Sequence, residues 1–276
     1  MLTDAKRKRN RSLNMDNTLR TFTSHLDTLD YSPLTRKHYV DGLKDYHAHG
    51  FEEITIENEL AYKAMLIAEG KKGTTVNARI HAMNAYNRWI GLPPIKTIRT
   101  NEEPFAVNGM ELDDYHNLLD HLLADEKYHW YLAVKLLAST GMRIGEAVQI
   151  TYGDFRKGSC LVYGKGRKPR IIYFSHSLKE TLWLFIKGKP DNERMIPYDP
   201  HYVREAFRRF KKRYNITCAA SPHEFRRLFS REMYESTKDA ALVKGLLGHE
   251  NLKTTYKYIK PTQQAAMRQY AKVQNW

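Results

Sequence analysis

The chain has 276 residues, 42% of them hydrophobic, and a formal net charge of +14 at pH 7 from 45 Lys and Arg against 31 Asp and Glu. That length holds two modest domains with ordinary cores, and the excess of positive charge calls for a polyanionic partner, nucleic acid before any other. The apolar runs are too short and interrupted for a membrane span, no signal-peptide pattern is expected, and the two cysteines, Cys160 and Cys218, make neither a disulfide framework nor a zinc motif. They read as small core residues in a reducing cytoplasm.

Residues 1–14 carry Lys6, Arg7, Lys8, Arg9 and Arg11 with little apolar content, which predicts a basic flexible tail. From Met15 to about Gly91 the spacing predicts four helices with breaks near Tyr31-Ser-Pro33, Gly50 and Gly70-Lys-Lys-Gly73, hence a small all-α domain over 15–92. Leu19, Phe22, Leu26 and Leu29 mark the first helix; Val76, Ile80, Met83, Tyr86 and Trp89 mark the fourth. Arg36, Lys37, Lys71, Lys72 and Arg79 are candidate phosphate contacts near helix starts, although each alone reads equally as part of a solvated charged face. The aperiodic, proline-bearing stretch after Gly91 places an interdomain linker at 93–104.

Met110 to Ala124 and Tyr128 to Ser139 read as amphipathic helices, the second buried. The second leads into Thr140-Gly-Met-Arg-Ile-Gly-Glu146, where Arg143 opens a short helix and Glu146 is placed to orient it. A guanidinium suits a phosphodiester because its planar fork donates two parallel charge-assisted bonds. Ile150–Asp154, Ser159–Tyr163 and Arg170–Phe174 read as strands of a small antiparallel sheet, with Lys165, Arg167, Lys168 and Arg170 around a hairpin loop able to enter a DNA groove. Leu178 to Ile186 reads as a helix with Trp183 buried. The helix from Tyr202 to Tyr214 carries Arg204, Arg208, Arg209 and Lys212 on an otherwise anchored frame and is assigned to duplex binding.

Ser221-Pro-His-Glu-Phe-Arg226 opens another helix, with Ser221 as cap, Pro222 at its first position, and His223 and Arg226 on one face. Gly245 and Gly248 stop the next helix ahead of His249, and Tyr256 and Tyr258 follow on a further one. Thr262 to Trp276 reads as a terminal helix after Pro261. A lone histidine or tyrosine is usually a satisfied packing residue, so it is the grouping of these motifs that carries weight.

Thr140-Gly-Met-Arg-Ile-Gly-Glu146, Gly164-Lys-Gly166 with Lys168 and Arg170, His223-x-x-Arg226 and Leu247-Gly-His249 with a tyrosine nine residues on resemble, in order, the motifs of the tyrosine recombinase (phage integrase) family, of the simple two-domain type. The resemblance implies a mainly α fold with a small antiparallel β-sheet: an all-α core-binding domain at 15–92 and an α+β catalytic domain at 105–260. A C-terminal helix at 261–276 would close its own core or dock onto a neighbouring protomer. It implies Arg143, Lys165, His223, Arg226, His249 and Tyr258 as the catalytic set, with Glu146 in support. Lys165 would be the general acid, with Lys168 as second choice, and family spacing selects Tyr258 over Tyr256 as nucleophile. The chain departs from the pattern at Arg227, where the family often has histidine.

The implied activity is site-specific recombination of duplex DNA carrying inverted half-sites. A homotetramer would act through a 3′-phosphotyrosine and a Holliday junction, with no cofactor, metal or ATP, and possible accessory DNA-bending proteins. A monomer or weak oligomer is expected in the absence of DNA, in the cytoplasm and associated with the nucleoid. A type IB topoisomerase-like enzyme and a catalytically silent DNA-binding protein are the competing readings. A metal-dependent nuclease is disfavoured, since His116, His121 and His129 lie on helices without an acid cluster.

Overall fold

The computed structural model describes residues 17–100, 103–163 and 169–274. The basic tail at 1–14 and the hairpin-tip residues Lys165, Arg167 and Lys168 lie outside them. The chain divides into two compact units, Met1–Glu102 and Glu103–Trp276.

In the first unit, helix α1 runs over 17–27 and is followed by α2 (Pro33–Ala48), α3 (Ile56–Ala68) and α4 (Gly73–Ile90). Their starts are fixed locally: Ser32 Oγ accepts from Thr35 N ahead of Pro33, and Thr55 Oγ1 accepts from Asn58 N. Phe22, Leu26, Leu43, Tyr46, Tyr62, Val76, Ile80 and Met83 form the core. Gly42 lets α2 approach α4 closely, since a Cβ there would lie 2.3 Å from that of Ala82.

The proline-bearing stretch after α4 is not free chain. Asn84 exchanges two hydrogen bonds with the backbone of Ile95, at 2.9 and 3.0 Å, and Asn77 does the same with Ile98, at 2.8 and 3.0 Å. These amide side chains satisfy backbone that pairs with no strand among the described residues, and Ile95 is buried in the core they border.

The second unit is mainly helical with one small sheet. Helices α5 (Leu112–Ala124) and α6 (Tyr128–Thr140) are followed by the short α7 (Ile144–Ala147) and α8 (Tyr152–Lys157). Strands β1 (Ser159–Tyr163) and β2 (Pro169–Tyr173) pair antiparallel, Ser159 opposite Tyr173 and Tyr163 opposite Pro169. Next come α9 (His176–Ile186), α10 (Pro200–Arg213), α11 (Pro222–Thr237), α12 (Ala240–Leu247), α13 (Leu252–Tyr258) and α14 (Gln263–Val273). Helix α6 packs against α5, α9 and α11, and its Leu132, Val134, Leu136 and Leu137 are buried in the core.

Three expectations are corrected. Ile150–Asp154 is not a strand: only Thr151 makes an isolated bridge, to Arg194, because Thr151 and Asp154 form a reciprocal capping box that starts α8. Trp183 is 51% exposed, since α9 buries the stripe Leu178, Leu182 and Ile186 instead. Cys218 is buried but Cys160 only half-buried.

Candidate active site

The geometry begins with two helix ends. Helix α6 stops at Gly141 (φ 60°) and α12 at Gly248 (φ 64°), both in the left-handed region that glycine enters without strain. Such ends leave carbonyls without intrahelical donors and carry partial negative charge. Arg226, on the first turns of α11, lies between them: Nη1 donates to Gly141 O at 2.6 Å and Nη2 to Leu247 O at 2.7 Å. The side chain is 1% exposed, so these carbonyls stabilise a cation taken out of water. Burial first, then the charges of Arg143 and Arg170, lower its pKa to about 10, which still leaves it protonated at neutral pH. Its Nε is buried without an acceptor among the described residues.

His249 follows the α12 cap and is 7% exposed. Arg226 Nη2 lies 3.0 Å from its Nε2, and Thr255 Oγ1, from α13, lies 3.0 Å from its Nδ1. An arginine only donates, so Nε2 is the acceptor and the neutral ring carries its proton on Nδ1, donating to Thr255. Burial and then the charges of Arg226, Arg143, Arg170 and His223 push its pKa down to about 4. His223, at the start of α11, is also lowered, by desolvation and then by Arg227, Arg226 and Arg143. Both imidazoles are therefore neutral at pH 7.

Tyr258 ends α13 half-buried, with its ring 5.1 Å from that of His223, 4.8 Å from that of His249 and 5.6 Å from Arg226 Cζ. Tyr256 is 54% exposed. Arg143 is half-buried: its backbone N–H donates to Glu146 Oε2 at 2.8 Å and its Nη1 to Oε1 at 3.1 Å. The fold thus gathers Arg143, His223, Arg226, His249 and Tyr258, with Glu146 buried beneath Arg143.

Arg170 is corrected. Expected in a DNA groove, it is 9% exposed, donating to Glu146 Oε2 at 2.6 Å and to Leu246 O. Strand alternation turns it inward, beside Val162 and Ile172 on the buried face, where Glu146 supplies the countercharge. Gly248 makes room for it: a Cβ there would meet Arg170 Cδ at 2.5 Å.

Of the other cations, Arg204, Arg208, Arg209 and Lys212 are exposed on α10, opposite the buried Val203, Ala206 and Phe207. In the first unit, Arg36 pairs with Asp27, Lys37 with Asp41 at 2.5 Å, Lys71 with Glu69 at 3.4 Å and Arg79 with Asp45 at 3.0 Å; Lys72 is exposed at the start of α4. Arg227 lies 3.7 Å from Glu224. His121 is half-buried and stacks on Tyr214 at 4.7 Å, which accounts for it as a packing group, whereas His116 is exposed beside Tyr115. Thr255 and the Gly141 and Leu247 carbonyls were not singled out from sequence. Only the position of Thr255 between His249 and Tyr258 pointed towards it.

The model of the phage integrase family matches residues 108–265, more than half of the chain and all of the cluster above. The chain belongs to the phage integrase family. Its relatives in that family are named tyrosine recombinases. XerC of Lactobacillus leichmannii is 31% identical over 153 residues, which span 50% of this chain and 52% of that one. XerA of Pyrococcus furiosus is 25% identical over 260 residues, spanning 88% of this chain and 89% of that one. Among solved structures, a lambda integrase dimer bound to a COC′ core site superposes with a TM-score of 0.70 at 21% identity, covering 89% of this chain and 95% of that one. XerH bound to a palindromic difH substrate, in a post-cleavage complex, gives 0.68 at 18% identity, covering 95% and 88%. These two establish that this member of the phage integrase family has the same fold.

Proposed function

We propose that this chain is a site-specific DNA recombinase that cleaves and rejoins duplex DNA through a 3′-phosphotyrosine on Tyr258. The observation that carries the reading is the Tyr258 ring packed against His223, His249 and the Arg226 guanidinium. A phenol held among an arginine and two neutral imidazoles suits attack on a phosphodiester.

In the proposed reaction the phenol oxygen bonds to phosphorus, the bond to the 5′ oxygen breaks, and that oxygen takes a proton from Lys165. His223, neutral beside the phenol, accepts the tyrosine proton. Arg143 and Arg226 hold the nonbridging oxygens and the charge added in the transition state, with His249 as a further donor. Glu146 fixes Arg143. The phosphotyrosine conserves the energy of the phosphodiester, so a 5′ hydroxyl from a second duplex reverses the step without ATP, and the arginines neutralise charge without a metal. Two rounds of exchange pass through a Holliday junction.

The exposed cations of α10 support duplex binding, with inverted half-sites seating a tetramer and accessory DNA-bending proteins as further participants. Helix α14 buries none of its residues and exposes Met267, Tyr270 and Val273, which supports docking onto a neighbouring protomer and favours a recombinase over a monomeric topoisomerase-like enzyme. The test is covalent capture of nicked duplexes cut from DNA flanking the gene, in chelator, on a denaturing gel. Wild type and Tyr256→Phe are expected to form the adduct and Tyr258→Phe to bind without forming it. An adduct from Tyr258→Phe overturns the assignment, and tight binding without any wild-type adduct returns the silent DNA-binding reading.

A further inference from the structure

His249 is held from both sides, and the two partners differ in kind. Arg226 Nη2, 3.0 Å from Nε2, can only donate; Thr255 Oγ1, 3.0 Å from Nδ1, can donate or accept. Thr255 is 0% exposed, and its place on α13, three residues before Tyr258, ties it to the element that carries the phenol. In the DNA-free site the ring therefore has its proton on Nδ1 and a lone pair on Nε2. That is the wrong tautomer for donating to a phosphate, since Nε2 is the nitrogen on the Arg226 side.

We infer that Thr255 is a positioning residue for His249 whose hydroxyl lets the ring exchange tautomers when a phosphate oxygen replaces Nε2 as the acceptor of Arg226. With DNA bound, His249 gives up its Nδ1 proton to solvent and gains one from solvent at Nε2, so the ring stays neutral. The Thr255 hydroxyl rotates from accepting at Nδ1 to donating to it, and Nε2–H donates to the phosphate. Both ring nitrogens of His249 keep a partner in either state. A residue limited to one hydrogen-bonding role would stabilise only one of the two tautomers.

The inference deepens the recombinase reading and rests on it for the DNA-bound half; its DNA-free half is tested separately. The ring nitrogens of 15N-histidine-labelled full-length protein are observed by NMR without DNA, in wild type, Thr255→Val and Thr255→Ser. All three are expected to show His249 with Nδ1 protonated and Nε2 bare, because Arg226 can only donate, but in Thr255→Val the Nδ1–H has lost its acceptor and its resonance is expected to move away from the position shared by wild type and Thr255→Ser. On nicked duplex, Thr255→Val is expected to bind as wild type but form the Tyr258 adduct about tenfold more slowly, the size of one buried hydrogen bond, with Thr255→Ser restoring the rate. A wild-type spectrum with the DNA-free proton on Nε2 overturns the inference whether or not the variants fold. So does Thr255→Val with a wild-type Nδ1–H resonance or a wild-type rate. If wild type forms no Tyr258-dependent adduct, the recombinase reading fails, while the DNA-free spectra still decide whether Thr255 is the acceptor of the Nδ1 proton.

Discussion

Arg170 Nη2 donates to Glu146 Oε2 at 2.6 Å with both side chains buried, so one carboxylate joins strand β2 to the turn that presents Arg143. Removing the arginine strands part of that charge in the interior. Arg170→Met is expected to lower unfolding free energy by about 3 kcal/mol, read from urea midpoints, because breaking one side of a buried pair costs far more than a surface pair is worth. The salt dependence of DNA binding is expected to stay unchanged. A phosphate contact at Arg170 would instead reduce the log–log slope by about 1.

His249 binds a proton less readily in the folded chain, at about 4 against an ordinary 6.5. Between these values the unfolded chain takes up the proton and the folded chain does not, so the contribution to stability is complete above about 6.5 and is lost as pH falls towards 4. His223 shifts in the same direction. Urea midpoints are expected to fall across that interval in wild type and to fall less in His249→Gln. At lower pH Glu146 adds to the loss: burial alone would raise its carboxyl, but Arg170 and Arg143 together hold it below the usual 4.5.

The proposed general acid is testable through the leaving group. Lys165→Ala is expected to slow adduct formation on an ordinary nicked duplex while leaving binding intact. A duplex with sulfur in place of the bridging 5′ oxygen is expected to restore the rate, because a thiolate departs without being protonated. Equal slowing on both substrates would remove Lys165 from that role.

Sequence made the α11 start and the α12 stop readable because caps are local: Ser221, Pro222 and Gly248 act on neighbours within a turn, although Gly245, also read as a stop, lies inside α12. The grouping of Arg143, His223, Arg226, His249 and Tyr258 was readable only through motif order, since nothing in the residues themselves fixes distances across the fold. The hidden part is non-local. That Arg170 turns inward depends on which face of β1 and β2 is covered, and its countercharge comes from Glu146, 24 positions away. The stretch after Gly91 read as linker from its prolines, yet Asn77 and Asn84 hold it down through side-chain bonds that no periodicity registers. At Thr151, a capping signal outweighed a run of β-favouring residues.

The α10 face offers a graded measurement. Arg204→Ala, Arg209→Ala and Lys212→Ala are each expected to reduce the salt slope of duplex binding by about 1 if they contact phosphate, with little change in stability because all three are exposed. Arg208 already pairs with Glu205 at 2.6 Å and is expected to contribute less.

Tyr258 rests on the guanidinium of Arg226 of its own chain, 5.6 Å from Cζ. In the proposed reaction each copy would therefore own both halves of its chemistry, and a broken copy could not borrow from its neighbour. Mixing Tyr258→Phe chains with Arg226→Ala chains is expected to give no complementation. Poisoning by either variant would scale with the fraction of sites it occupies, as it does when every workman must bring his own tools.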